Sequence, residues 1–363
     1  MKIIFIMTSF PRLPIGGYRV VYEYANHLVN RGHKVSVIHC KNIKDLPISK
    51  NFYKLLKTEF AYLYRSIFKP KLKWQYVDPK VKMMLAPTPD EKYIPEGDIV
   101  FATAWALADY VLRYNKSKGK KCYLFQHYET WSGPKEKVDA TWRAPFYKVV
   151  VSKWLYDIGI SLGATNMVYI PNGLNHNVFK IYNLIKDRPQ TVSMMFSNQT
   201  WKGSKDGLKA LELSKEKIAE LKAILFGVTK PKIKFPDWVK FYRHPTQDDL
   251  IRKIYNASSV FLWPSHFEGF SLPPAEAMAC GCAVISTDCG GIHDFAENGV
   301  SALISEIKKP EDLAQNLFKL LKDDNFRIKI AEMGNKSVQK LTWEYSTDLM
   351  EKFLFDCIND KYC

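Results

Sequence analysis

Short apolar runs alternate with helical stretches along the whole chain, and this alternation limits its architecture more than any other feature. In the first half, Lys2–Thr8, Lys34–His39, Asp98–Thr103, Cys122–His127, Lys148–Val151 and Met167–Ile170 read as strands. The series restarts after the break at Asp187-Arg188-Pro189 with Thr191–Ser197, Lys222–Gly227, Val239–Tyr242, Ser259–Trp263, Cys282–Ser286 and Ser301–Ile304. Between the first two runs, Val20, Val21, Tyr24, Ala25 and Leu28 recur at a helical period that closes near Gly32. Strands separated by helices predict α/β architecture, with parallel sheets covered on both faces. Pro171-Asn172-Gly173 divides the two series. The prediction is therefore two doubly wound domains, 1–172 and 173–342. A helical tail at 343–363 could pack back on the first of them.

Composition excludes other classes. A chain of 363 residues, 47% hydrophobic and 25% charged, is long enough for two cores and too apolar for disorder. Its longest near-apolar run, Ile99 to Ala108, stops at Asp109, far short of the roughly 20 residues a membrane span needs. The apolar start is too short for a secretory signal and reads as a buried first strand. Seven cysteines, an odd number without paired Cys-x-x-Cys spacing, favour a reduced cytoplasmic setting. Charge is less ordinary. The chain carries a net +16, and residues 1–172 hold 27 basic against 13 acidic side chains, a net of +14. Lysines that merely solubilise would explain the total but not the asymmetry, which calls for an anionic partner: membrane, nucleic acid or an acidic ligand.

Ligands of parallel sheets bind at the carboxyl ends of strands, beside helix N-termini. The richest such stretch runs from Ser259 to Gly291. A strand leads into Pro264-Ser265-His266-Phe267-Glu268-Gly269-Phe270-Ser271-Leu272, and Pro273-Pro274 then opens a helix carrying Glu276. Proline suits a first turn, where its missing N–H has no intrahelical acceptor anyway. The N–H groups of Ser271, Leu272 and Ala275 are left to face an anion. Taken alone, Glu276 reads as a first-turn acid that stabilises the helix dipole; with Glu268 it reads as one of two contacts on one ligand.

Residues 268–281, Glu-Gly-Phe-Ser-Leu-Pro-Pro-Ala-Glu-Ala-Met-Ala-Cys-Gly, resemble the paired-glutamate signature of family 4 retaining glycosyltransferases of GT-B fold. Val284 to Asp294 is similar to that family's next strand and Gly-Gly turn, with Asp294 where the family usually has glutamate. Pro171-Asn172-Gly173 resembles its interdomain stretch and Gly16-Gly17 its first glycine loop. The resemblance implies two Rossmann-like domains facing each other across a cleft. It also implies that Glu276 binds the ribose of a nucleotide-sugar donor and that Glu268 lies near the transferred sugar. Gly269, Phe270, Ser271 and Leu272 would hold sugar hydroxyls and phosphate through their amides. Lys202, in Trp201-Lys202-Gly203, matches the lysine that neutralises the diphosphate, a role that fits a leaving group departing as an anion. Where the family places an arginine upstream of this lysine, the chain has Ser197-Asn198-Gln199-Thr200. Asn198 then joins the donor-binding set, and Arg243 is the candidate second cation.

In the first domain, Gly16 and Gly17 would let backbone approach a phosphate or an acceptor, or simply form a turn. His127 ends a strand; the resemblance puts it under the transferred sugar, while on its own it reads equally well as hydrogen-bonded structure. No Asp-x-Asp occurs and the cysteines lack zinc spacing, so neither a metal nor another cofactor is expected. Asn51 to Trp74 carries Phe52, Leu55, Leu56, Phe60, Leu63 and Ile67 on one helical face and lysines largely elsewhere, which on its own fits a core-facing helix and, with the +14 charge of the same domain, the surface of an anionic membrane. The expected function is transfer of a sugar, with retention, from a nucleotide-sugar to a glycan or lipid-linked acceptor. A GT-B transferase acting on nucleic acid and a non-catalytic partner of another transferase are the alternatives.

Overall fold

The computed structural model describes residues 1–44 and 72–361. Chain contacts divide it into an N-terminal unit, 1–171 with 343–363, and a C-terminal unit, 172–342. The division falls one residue before the boundary predicted from sequence.

In the N-terminal unit, β1 (Lys2–Met7), β2 (Lys34–Cys40), β3 (Lys82–Ala86), β4 (Ile99–Ala102), β5 (Lys120–Phe125), β6 (Tyr147–Val150) and β7 (Met167–Tyr169) form one parallel sheet in the order β3-β2-β1-β4-β5-β6-β7. The order reverses between β1 and β4, the place where such sheets take ligands. β1 is buried from Ile3 to Met7 because neighbours pair with it on both sides. Phe5 stacks on Phe101 at 4.9 Å between ring centroids. The sequence pattern lacks β3, a partly buried edge strand whose apolar run, Met83 to Ala86, is only four residues long. Helix Gly16–Asn30 takes in both glycines ahead of its apolar stripe. Gly16 and Gly17 therefore form a helical first turn rather than a loop. The last helix, Trp343–Ile358, belongs to this unit. Trp343 meets Tyr24 edge-on at 5.4 Å, Arg31 bridges Asp348 (2.5 Å) and Glu351 (3.1 Å), and His33 Nε2 lies 2.7 Å from Glu351.

The C-terminal unit repeats the plan. β8 (Thr191–Met195), β9 (Lys222–Gly227), β10 (Val239–Arg243), β11 (Val260–Trp263), β12 (Ala283–Thr287) and β13 (Leu303–Ser305) lie parallel in the order β10-β9-β8-β11-β12-β13. β11 and β12 are buried throughout, since helices cover both faces. Val192, Met194, Leu225, Leu262 and Ile285 of the sheet pack with Leu313, Leu317 and Leu320 of helix Pro310–Lys322. Each such side chain contributes about 1.5–3 kcal/mol on burial. Here the order reverses between β8 and β11, so the loops leaving these two strands frame the unit's ligand position.

Candidate active site

The loop after β11 is pinned before it reaches its helix. Glu268 N–H donates to the Cys289 carbonyl (2.8 Å), and Gly291 N–H donates to the Glu268 carbonyl (3.2 Å). This short bridge to the loop after β12 requires glycine at 291. A Cβ there would sit 2.4 Å from the Gly269 oxygen. Ser271 then turns the chain with φ +71°, and helix Leu272–Ala279 begins. Its first-turn N–H groups have no intrahelical acceptor; Pro273 and Pro274 contribute none, leaving those of Leu272 and Ala275.

Glu276 stands five residues into this helix, past the first turn, so the reading as a first-turn dipole acid fails. It is 3% exposed, and Tyr255 donates its hydroxyl to Glu276 Oε2 at 3.2 Å. Tyr255 ends the π-helical stretch Asp249–Tyr255, a winding often found at functional sites. Burial is the chief reason its phenol is pushed far above the ordinary range, and the Glu276 charge adds to it.

The loop after β8 supplies the cation. A short 3₁₀ turn, Thr200–Lys202, ends at Gly203 in a left-handed conformation (φ +61°). Lys202 Nζ lies 2.7 Å from Glu268 Oε1 and 5.5 Å from the centroid of the buried Trp263 ring. Ser265 Oγ approaches the same carboxylate oxygen at 2.5 Å. An ion pair, a hydroxyl and a helix N-terminus thus converge at the carboxyl ends of β8 and β11. That set can bind an anion and stabilise negative charge on a departing group.

Gly269, Phe270, Ser271 and Leu272 run from Glu268 into the helix that carries Glu276, and Lys202 meets Glu268 across the two loops. Asn198 is exposed on the same loop and donates from Nδ2 to the Lys230 carbonyl at 3.3 Å. Arg243 stands apart, exposed at the end of β10 with β9 between it and β8. Two strand spacings amount to about 10 Å. Sequence reasoning missed Tyr255, whose link to Glu276 depends on the π-helical winding, and gave Ser265 no role. Its signal was the Ser-x-x-Glu spacing of Ser265 and Glu268, which lets a hydroxyl and a carboxylate meet across one turn.

The N-terminal unit forms its own cluster at the carboxyl ends of β1 and β5. Gly17 packs on the Gln126 side chain: a Cβ would sit 3.4 Å from Gln126 Oε1. Beside Gly16 there is open space, and no side chain caps the helix that these glycines begin. Next to Gln126, the His127 ring meets Trp131 edge-on at 4.1 Å and Trp154 at 6.2 Å. Glu129 turns inward, where its Oε2 accepts from Trp105 N–H at 2.8 Å, at the start of helix Trp105–Leu112. Burial pushes this carboxyl up to about 7, against the hydrogen bonds from Trp105 N–H and the Tyr123 hydroxyl. Among the described residues no three His, Cys, Asp or Glu side chains gather as metal ligands, no helix is long and apolar enough to cross a membrane, and all six described cysteines are buried and free. Asn51 to Trp74, the candidate membrane segment, lies outside the described residues except for Leu72, Lys73 and Trp74.

Residues 179–337 match the family model of glycosyl transferases group 1. A D-inositol 3-phosphate glycosyltransferase of Corynebacterium jeikeium is 32% identical over 114 residues, covering 31% of this chain and 27% of that protein. An N,N'-diacetylbacillosaminyl-diphospho-undecaprenol alpha-1,3-N-acetylgalactosaminyltransferase of Campylobacter jejuni is 24% identical over 181 residues, covering 48% of this chain and 46% of that protein. The chain thus spans less than half the length of these relatives. Among solved structures, a sucrose-phosphate synthase from Thermosynechococcus elongatus superposes with a TM-score of 0.73 at 17% identity, covering 99% of each chain. An Anabaena protein solved with UDP-glucose superposes with a TM-score of 0.72 at 17% identity, covering 98% of this chain and 100% of its own. The chain has the GT-B fold of two Rossmann-like parallel-sheet domains, and residues 179–337 of its C-terminal part are similar to the group 1 glycosyl transferases.

Proposed function

We propose that the protein is a family 4 retaining glycosyltransferase. It moves a sugar from a nucleotide-sugar donor to a hydroxyl of a glycan or lipid-linked acceptor, in the synthesis of cell-surface polysaccharide or glycoconjugate. The observation that carries this reading is the Lys202–Glu268 ion pair on the loop that leads into helix Leu272–Ala279, the helix that bears the buried Glu276. In this reading Glu276 holds the ribose hydroxyls, Glu268 the transferred sugar, and Lys202 with the helix amides the diphosphate. Negative charge grows on the leaving phosphate as the glycosidic bond breaks, and a fixed cation beside oriented N–H groups stabilises that charge. The departing phosphate oxygen takes the acceptor's proton, so the new bond forms on the face the old one left, and anomeric configuration is kept. No metal is required, because Lys202 and the helix supply the positive potential. In the N-terminal unit, His127, Gly16 and Gly17 are the residues that the same reading assigns to ligand contact.

The acceptor is placed at an anionic cytoplasmic membrane face, with the protein held there peripherally. Support comes from the +14 charge of residues 1–172 and from the relatives, whose names include an inositol phosphate and a diphospho-undecaprenol acceptor. Thermal-shift screening against nucleoside diphosphates and their sugars tests the donor assignment. A ligand at one hundred times Kd stabilises the native state by about 2.7 kcal/mol, and no shift with any member of the panel would overturn it. For the cations, Lys202→Ala is expected to lower turnover more than Arg243→Ala, since Lys202 already sits beside Glu268. The opposite ranking would move the phosphate site toward β10.

A further inference from the structure

Two loops of the C-terminal unit lie against each other behind the Lys202–Glu268 pair. One is the turn Thr200–Lys202 with the head of helix Ser204–Lys217; the other runs from Pro264 to Glu268. Their backbones touch: a Cβ on Gly203 would lie 1.8 Å from the Pro264 oxygen. His266 N–H donates to the Trp201 carbonyl at 2.7 Å, and Ser265 Oγ lies 3.1 Å from that same carbonyl. Ser265 has one proton for two acceptors, and the Glu268 carboxylate at 2.5 Å is the stronger one. A second side-chain link spans the loops. His266 Nε2 lies 2.7 Å from Asp206 Oδ2, with the two side chains 14% and 24% exposed. An ionised carboxylate only accepts, so the imidazole donates.

We propose that His266 and Asp206 form a positioning pair, which keeps the two loops docked while Lys202 exchanges Glu268 for the phosphates of the donor. This rests on the reading of the site as a nucleotide-sugar donor site. Lys202 and Glu268 themselves join the loops. A diphosphate competes for the same ammonium group, so the join weakens when the ligand arrives. His266 and Asp206 belong to no proposed ligand contact and hold the loops throughout. Asp206 also lies in the first turn of its helix, where an acid stabilises the dipole. That role needs no histidine partner, so the two roles separate on substitution.

The test uses the full chain and the nucleoside diphosphate, from UDP, GDP and ADP, that most raises the wild-type melting temperature. Two quantities are measured for wild type, His266→Ala, His266→Gln and Asp206→Ala. These are the Kd for that nucleotide and, without ligand, the rate at which an amine-selective reagent labels Lys202. His266→Ala and Asp206→Ala are expected to raise Kd about tenfold, as loss of a hydrogen bond to a charged group would, and to speed labelling of Lys202 severalfold. His266→Gln keeps a donor and is expected to recover most of both. Folded alanine variants with wild-type Kd and wild-type labelling would overturn the proposal. Faster labelling in a chain that binds none of the three nucleotides would keep the positioning pair and reject the donor reading. Asp206→Ala, which removes the same bond from a helix surface, serves if His266→Ala does not fold.

Discussion

Glu276 shows how far a single residue can be read. Its type and its distance from Glu268 are visible in sequence, and so is the proline pair ahead of it. Its depth is not. It stands beyond the first turn at 3% exposure, and the Tyr255 hydroxyl donates to its carboxylate. Replacing the carboxylate by an amide of the same shape removes charge-assisted hydrogen bonds worth about 1.5–3 kcal/mol. Glu276→Gln is thus expected to weaken donor binding at least tenfold in calorimetry while the melting temperature stays within a few degrees. Equal donor affinity in the two proteins would end the ribose assignment. Lys202 was equally visible, but not the charge that faces it: Glu268 lies 66 positions later, and only the adjacency of β8 and β11 joins them.

At the scale of elements, the turns between strand and helix hold the site, and they tolerate little change. Gly203 combines a left-handed φ of +61° with the Pro264 oxygen 1.8 Å from where a Cβ would stand. Gly203→Ala is expected to cost at least about 2 kcal/mol, more than backbone strain alone, and to displace Lys202. Urea unfolding and nucleotide affinity should therefore fall together; a loss of less than half a kilocalorie would mean that the turn relaxes freely. Strand β2 offers a test of another kind. His39, 1% exposed near its end, donates from Nδ1 to the Ser9 carbonyl (3.1 Å) and accepts at Nε2 from the Tyr22 hydroxyl (3.2 Å). Burial pushes this imidazole down from 6.5 to about 4. The unfolded chain takes up its proton near pH 6.5 and the native chain only near pH 4, so this stability is complete above pH 6.5 and is lost as pH falls toward 4. The loss approaches about 3 kcal/mol. Urea titrations between pH 7 and 4 should show a smaller decline in His39→Gln than in the wild type, and parallel declines would count against the buried neutral ring.

For the whole molecule, the decisive quantity is the uneven charge. A net +14 on residues 1–172 against +2 on the rest polarises the chain, and each basic side chain near an anionic leaflet is worth about 1 kcal/mol. Sedimentation with anionic vesicles at low salt is expected to carry the protein down, with release at high salt and none bound to neutral vesicles; equal, negligible binding to both lipids would leave a membrane-free acceptor. Composition and periodicity alone determined that the chain makes two parallel α/β sheets, because a buried strand must be apolar along its length and a covering helix apolar along one face. They also mark the strand-to-helix turn at 268–281 as the candidate ligand loop, because its glycines, prolines and acids are local requirements of one such turn. Tertiary structure decided the rest: that Lys202 faces Glu268, that Tyr255 meets Glu276, that His266 meets Asp206, and that the last helix returns to the N-terminal unit. Those pairings join residues far apart in sequence, and strand order, which no local pattern encodes, is what brings them within a hydrogen bond of each other.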